Sequence, residues 1–170
     1  MLSQFRPAEL APSVFGIDLN ALWERGLRGI VLDVDNTLCA WQRGEERVPE
    51  AVAAWVEQAK AKGFRLCIIS NGRPARVAAV AGQIGLPFVA SARKPCRNGF
   101  CRALALLGTE PAATAMIGDQ LLTDVCGGNR MGLHTILVAA LSQREFAGTK
   151  LSRLVERLIR RRLGLPAGKA

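Results

Sequence analysis

Four short clusters in this 170-residue chain have side chains that could do chemistry. Asp33-Val34-Asp35-Asn36-Thr37-Leu38 closes an Ile-Val-Leu run, Ser70-Asn71-Gly72 closes a second apolar run, Lys94-Pro95 follows a third, and Gly118-Asp119-Gln120 with Asp124 follows a fourth. In extended chain, Asp33 and Asp35 fall on the same side, and carboxylates at the end of an apolar strand need partners. Taken singly, each cluster has an ordinary use: Asp caps turns, Ser-Asn-Gly opens helices, and most lysines are solvated. As a set they supply carboxylates, a hydroxyl, a lysine restrained by the following proline, and further carboxylates. That is the inventory for Mg²⁺-assisted phosphoryl transfer. A hard cation takes oxygen ligands from one or two carboxylates, waters and the substrate phosphate. One carboxylate can then attack phosphorus while a second protonates the leaving alkoxide.

Each cluster needs an element to hold it. Gly29–Asp33, Phe64–Ile69, Leu86–Ala90, Thr114–Ile117 and Thr135–Val138 are too short for helices and too apolar for a half-exposed antiparallel sheet, so they are predicted as buried parallel strands. Between them, Val52, Trp55, Val56 and Ala59 recur at helical spacing after Pro49 and before Gly63, and 73–84 and 98–107 end at Gly85 and Gly108. Alternating strands and helices predict an α/β fold, a three-layer doubly wound parallel sheet, with ligands beyond the carboxyl ends of the strands. Residues 1–170 read as a single domain. The first 28 residues, with Pro7, Pro12 and an apolar series from Val14 to Trp23, read as a packed lead-in helix or turn without chemistry.

Composition narrows the partners. With 49% hydrophobic and 22% charged residues the chain is that of a packed domain, and its net charge of +9 is uneven. Residues 1–140 carry +3 and the last thirty +6. No apolar run reaches the roughly 18 residues of a membrane span, and no leader is evident, so a cytoplasmic protein is expected. Cys39, Cys67, Cys96, Cys101 and Cys126 include no CxxC pair and His134 is the single histidine, which argues against a zinc site or disulfides. All five thiols are read as reduced, and Cys96 and Cys101 mainly as packing.

In their order, Asp-x-Asp-x-Thr-Leu, Ser-Asn, Lys-Pro and Gly-Asp-x-x-x-x-Asp resemble the four motifs of the haloacid dehalogenase (HAD) phosphatase superfamily. Phe5-Arg-Pro, the stretch from Ile17-Asp-Leu to Gly26, the Asp-Asn-Thr-Leu form of the first motif and the Thr149-Lys150…Arg153…Glu156-Arg157 tail are similar to the YqeG-like type IIIA branch, akin to phosphatidylglycerophosphate phosphatases. The resemblance implies that Asp33 is the nucleophile and Asp35 the general acid and base. Ser70 and the Asn71 amide would hold phosphate oxygens, Lys94 would neutralise charge on nucleophile and phosphate, and Thr37, counted with these phosphate-binding residues, would order the loop after the first motif. Mg²⁺ would be held by Asp33, the Asp35 backbone carbonyl and Asp119, with Asp124 beside them.

The intervals after Leu38 and between Asn71 and Lys94 leave no room for a cap domain, which implies an open site for a large or membrane-presented phosphorylated substrate such as phosphatidylglycerophosphate. Soluble nucleotide or sugar phosphates are the alternative. Trp41, Arg43 and Arg47 stand on the short segment beside the site, as substrate contacts or as a solvated hairpin. Leu151, Leu154, Val155, Leu158 and Ile159 form an apolar stripe on a predicted basic helix over 150–163, alongside Arg153, Arg157, Arg160, Arg161 and Arg162. The stripe is expected to dock on the domain while the arginines reach solvent or an anionic membrane at its cytoplasmic face. Nucleic acid is a weaker fit, since few aromatics are available to stack on bases. A signalling receiver domain would carry its phosphoacceptor on a middle strand, and a non-catalytic scaffold or nucleic-acid-binding relative would be expected to have lost a motif residue. None is missing.

Overall fold

The computed structural model describes residues 2–40, 47–142 and 150–166, with the side chains of 150–154 left aside. Six parallel strands form one sheet in the order β1-β6-β5-β2-β3-β4. They are β1 (Glu9–Ala11), β2 (Gly29–Leu32), β3 (Arg65–Ile69), β4 (Phe88–Val89), β5 (Thr114–Gly118) and β6 (His134–Val138). The helices are α1 (Leu19–Glu24), α2 (Glu50–Ala61), α3 (Pro74–Ile84), α4 (Arg97–Leu107), α5 (Cys126–Met131) and α6 (Lys150–Leu163).

Alternation along the central strands builds two cores. Ile30, Leu32, Leu66, Ile68, Ala115 and Ile117 face α1, α2 and α3, through Leu22, Trp55, Val56, Val77 and Val80 among others. Val31, Cys67, Ile69 and Met116 face the other way, onto Phe100, Ala103 and Leu107 of α4. With both faces covered, β2 and β5 are buried at every position, and strands of that kind are read in sequence as continuous apolar runs. The helices stop where glycine permits a left-handed residue: Gly85 at φ 58° after α3 and Gly108 at φ 60° after α4.

The lead-in differs from expectation. It contributes a strand, β1, which pairs with β6 through Glu9↔Ile136 and Ala11↔Val138, followed by the short α1 capped by Asp18 on the Asn20 and Ala21 amides. Three residues between two prolines carry no period, and the partner strand lies more than 120 residues away. Glu9 is held there by an ion pair to Arg25 and a 2.6 Å hydrogen bond with the His134 ring. β4 shrinks to two residues. Cys96 and Cys101 are exposed, so neither is a packing residue; Cys39, Cys67 and Cys126 are buried. Burial pushes the Cys67 thiol up to about 12. Among the described residues no helix is long and apolar enough to cross a membrane.

Candidate active site

Strand order reverses between β2 and β5: from β2 the chain steps outward through β3 and β4, then returns to β5 on the other side. An open α/β sheet has its ligand crevice at such a switch point. Asp33 leaves β2 there, its amide donating to the Ile117 carbonyl at 2.9 Å, and Asp119 leaves β5.

Four buried charges meet in the crevice. The Lys94 ammonium lies 2.5 Å from Asp33 Oδ1 and 2.7 Å from Asp124 Oδ1, and donates to the Ile69 carbonyl at 3.2 Å. One ligand oxygen each from Asp33, Asp119 and Asp124 lies within 4.8 Å of the others. Burial pushes the Asp33 carboxyl up to about 7; Lys94 pulls against that shift, while the Asp124 and Asp35 charges add to it. For Lys94 burial works downward, and the Asp124 and Asp33 carboxylates outweigh it and raise its pKa above the usual lysine value.

The second cluster supplies the floor. Ser70 is fully buried at the end of β3, and its Oγ accepts the Gly72 amide at 3.0 Å. Asn71 clasps the Lys94 backbone with its side chain: Oδ1 accepts the Lys94 amide at 2.7 Å and Nδ2 donates to the Lys94 carbonyl at 3.2 Å. Asn71 thus fixes where Lys94 starts, its side-chain amide being engaged by the Lys94 backbone. The Lys94–Pro95 peptide is cis. Asn36, Ser91 and Arg93 have φ between 48° and 59°, a left-handed backbone rare outside glycine, and all three lie in the loops that deliver site residues.

Asp35 is placed differently from Asp33. Its carboxylate is forked by Arg76 of α3, Nη1 donating to Oδ2 at 3.1 Å and Nη2 to Oδ1. Its side chain lies outside the three-carboxylate cluster. Thr37 is buried and its hydroxyl has no hydrogen-bond partner among the described residues, so it does not order the loop through a side-chain bond. Trp41 and Arg43 lie outside the described residues, and Arg47 is exposed.

The fourth cluster depends on two residues that the motif reading leaves without a role. A Cβ on Gly118 would stand 2.2 Å from Asp124 Oδ2 and 2.4 Å from its Cγ, so only glycine lets Asp124 fold back over the strand end. Asp124 sits in a π-helical turn, Leu121–Val125, and its Oδ2 accepts the Gln120 amide at 3.1 Å. Glu156 of α6, 2% exposed, accepts the Leu122 amide of that turn at 3.1 Å. Leu121, Val125 and Ile159 pack beside it. A lone acid among the arginines of the tail was the available signal for Glu156. For Arg76 it was a cation in the first turn of a helix, at the positive end of the dipole.

The donor set suits a divalent hard cation. Asp33, Asp119 and Asp124 offer only oxygen, they converge from two strand exits and a turn, and three carboxylates around one ammonium form a cluster that a doubly positive ion complements. Such a cluster can bind a phosphate dianion once a cation stands beside it.

Comparison with known proteins agrees with this geometry. A family model described as HAD-hydrolase-like matches residues 91–145. The chain is 40% identical over 155 residues to the Bacillus subtilis protein named "Probable phosphatase YqeG", covering 91% of this chain and 89% of that protein. It is 31% identical over 161 residues to the chloroplastic phosphatidylglycerophosphate phosphatase 1 of Chlamydomonas reinhardtii, covering 88% of this chain and 59% of the relative. Its fold is similar to the cobalt-bound deoxy-D-mannose-octulosonate 8-phosphate phosphatase of Haemophilus influenzae, with a TM-score of 0.56, 12% identity, and coverage of 68% of this chain and 70% of that one.

Proposed function

Since the chain belongs to the YqeG-like branch of the HAD phosphatases, phosphoric monoester hydrolases, we propose that it works through an aspartyl-phosphate on Asp33 with Mg²⁺ as cofactor. The observation that carries the reading is the buried Asp33 carboxylate paired to Lys94 and ringed by Asp119 and Asp124. Asp33 attacks phosphorus, the bond to the leaving oxygen breaks, and Asp35 gives that oxygen a proton. Asp35 then takes a proton from water, which attacks the acyl phosphate and returns phosphate and free Asp33. Ser70 and the loop amides hold the non-bridging oxygens, and Lys94 screens nucleophile from phosphate. Mg²⁺, held by Asp33, Asp119, Asp124 and the Asp35 carbonyl, would supply positive charge where the phosphoryl oxygens gather.

The substrate we favour is large or membrane-presented, a lipid phosphomonoester such as phosphatidylglycerophosphate. Between Asn71 and Lys94 the chain builds only α3 and β4, so no cap domain is inserted in that interval. On α6 the docked face, among the described residues, includes Glu156, Ile159 and the half-buried Leu163, while Val155 and Leu158 are 40% and 55% exposed. Of the expected stripe, the side chains of Leu151 and Leu154 lie outside the described residues, Ile159 docks, and Val155 and Leu158 stand in solvent beside the exposed Arg157, Arg161 and Arg162. Apolar residues interleaved with arginines suit an anionic membrane surface at its cytoplasmic side.

The test is hydrolysis by purified protein of phosphatidylglycerophosphate in mixed micelles beside soluble nucleotide and sugar phosphates, with Mg²⁺ or chelator. We expect turnover that chelator abolishes and the highest kcat/KM on the lipid. No hydrolysis, or none lost to chelator, overturns the catalytic reading; equal or better turnover of a soluble ester overturns the substrate.

A further inference from the structure

One cation of the crevice has no part in the chemistry above. Arg76 stands in the first turn of α3 and its guanidinium donates to both carboxylate oxygens of Asp35. Unlike Lys94 and Asp33, whose side chains are 3% and 6% exposed, Arg76 and Asp35 are 26% and 27% exposed, at the mouth. The guanidinium also lies over the Ser70-Asn71-Gly72 turn. A Cβ on Gly72 would stand 3.1 Å from Arg76 Nη1 and 3.1 Å from Ser70 Oγ, so glycine keeps open the space between the arginine and the buried hydroxyl.

Two facts about this placement pull against each other. A carboxyl whose two oxygens both accept from one guanidinium has neither directed at a leaving group. A guanidinium fork fits phosphate as well as it fits carboxylate, and here it is already poised above the turn that would receive phosphate. We propose that Arg76 is an exchangeable latch: forked on Asp35 in the free enzyme, it passes to the non-bridging oxygens of the incoming phosphomonoester and so releases Asp35 toward the leaving oxygen. Arg76 then both grips the substrate and makes delivery of Asp35 conditional on a phosphate being present. This rests on the reading of the crevice as a phosphatase site.

The test is calorimetric binding of inorganic phosphate, with Mg²⁺ present, to the wild type, Arg76→Gln, Arg76→Lys, Asp35→Asn and the Arg76→Gln/Asp35→Asn double variant, each checked for a folded melting transition. Loss of a charge-assisted fork should weaken phosphate binding about tenfold or more in Arg76→Gln, with Arg76→Lys between it and the wild type. Asp35→Asn should tighten binding by roughly threefold or more, because the competitor for the guanidinium is gone, and should do so far less in the Arg76→Gln background. In turnover, Arg76→Gln should raise KM more than it lowers kcat. Simple repulsion between Asp35 and phosphate gives the opposite cycle, a larger gain when Arg76 is absent, and that result overturns the latch, as does unchanged binding in Arg76→Gln. If the wild type itself binds no phosphate, the phosphatase reading falls and the latch with it.

Discussion

The crevice between β2 and β5 buries Asp33, Lys94, Asp119 and Asp124, each less than 10% exposed, whereas α6 sets Arg157, Arg161 and Arg162 on its solvent side. Burying an ion costs several kcal/mol unless partners are fixed around it. The crevice meets that cost with a 2.5 Å pair from Lys94 to Asp33, a 2.7 Å pair to Asp124, and a turn held in place by Gly118 and Glu156. The arginines of α6 remain hydrated and need no such arrangement. A charge that is expensive to place therefore points to a specific chemistry, while an inexpensive one is compatible with several partners. Substitutions that move one region and leave the other unmoved are the way to sharpen that contrast.

The largest effect should fall on Asp33. Asp33→Asn removes the attacking oxygen's charge, and turnover should vanish while the fold is kept; phosphate release by the purified variant, beside a circular dichroism melt, checks it. More than a trace of turnover would remove Asp33 from its role. Asp35→Asn should lose roughly 10² to 10⁴ in kcat, the range for a general acid and base. The loss should shrink on substrates with good leaving groups, which need no proton; a variant with wild-type rates on a poor leaving group would not have lost its acid.

Next in size is the backbone that shapes the crevice. Gly118→Ala forces a methyl into Asp124, whose Oδ2, Cγ and Cβ would lie 2.2, 2.4 and 2.7 Å away. Overpacking of this kind costs about 1 to 3 kcal/mol, and here it also displaces a member of the three-carboxylate cluster. Stability by urea titration and Mg²⁺ affinity should fall together; a variant that loses neither shows the turn to be adaptable. Glu156→Ala comes after it. Removing the acceptor of the buried Leu122 amide should cost about 1 to 3 kcal/mol, at the lower end if water enters. Because that amide belongs to the turn carrying Asp124, weaker Mg²⁺ binding should accompany the lower melting point. Destabilisation with unchanged Mg²⁺ affinity would mean that α6 braces the fold without reaching the site.

Legibility in the sequence follows the same contrast. The central strands could be read because both faces are buried and every residue is apolar, and the four clusters because each stands where such a run stops. β1 could not, since three residues at a sheet edge are fixed by a partner strand far along the chain. Asp33, Lys94, Asp119 and Asp124 do converge, but nothing in the spacing distinguishes the Asp35 carboxylate, turned to Arg76, from that of Asp33, turned to Lys94. The stripe on α6 illustrates another limit. Periodicity finds an apolar face, but the choice of Glu156 and Ile159 as the docked positions depends on the turn they meet.

The smallest effect on the crevice should come from the arginines of α6. Changing Arg157, Arg161 and Arg162 to Gln alters exposed positions, where substitutions commonly stay within about 0.5 kcal/mol, so stability and turnover of a soluble phosphomonoester should match the wild type. Vesicles should tell a different story. Each basic residue near an anionic surface contributes roughly 1 kcal/mol, and the attraction is screened by salt. Val155 and Leu158, already in solvent, can enter the interface without Glu156 and Ile159 leaving the domain, so insertion need not disturb the turn that holds Asp124. Co-sedimentation with anionic and neutral vesicles at low and high salt checks this. The wild type should bind anionic vesicles and lose part of that binding in salt, the arginine variant should bind weakly to both, and Leu158→Ser should lower what remains at high salt. Equal binding of the wild type to neutral and anionic vesicles would break the contrast between the two regions, because the exposed arginines would then do nothing that ordinary surface charge does not.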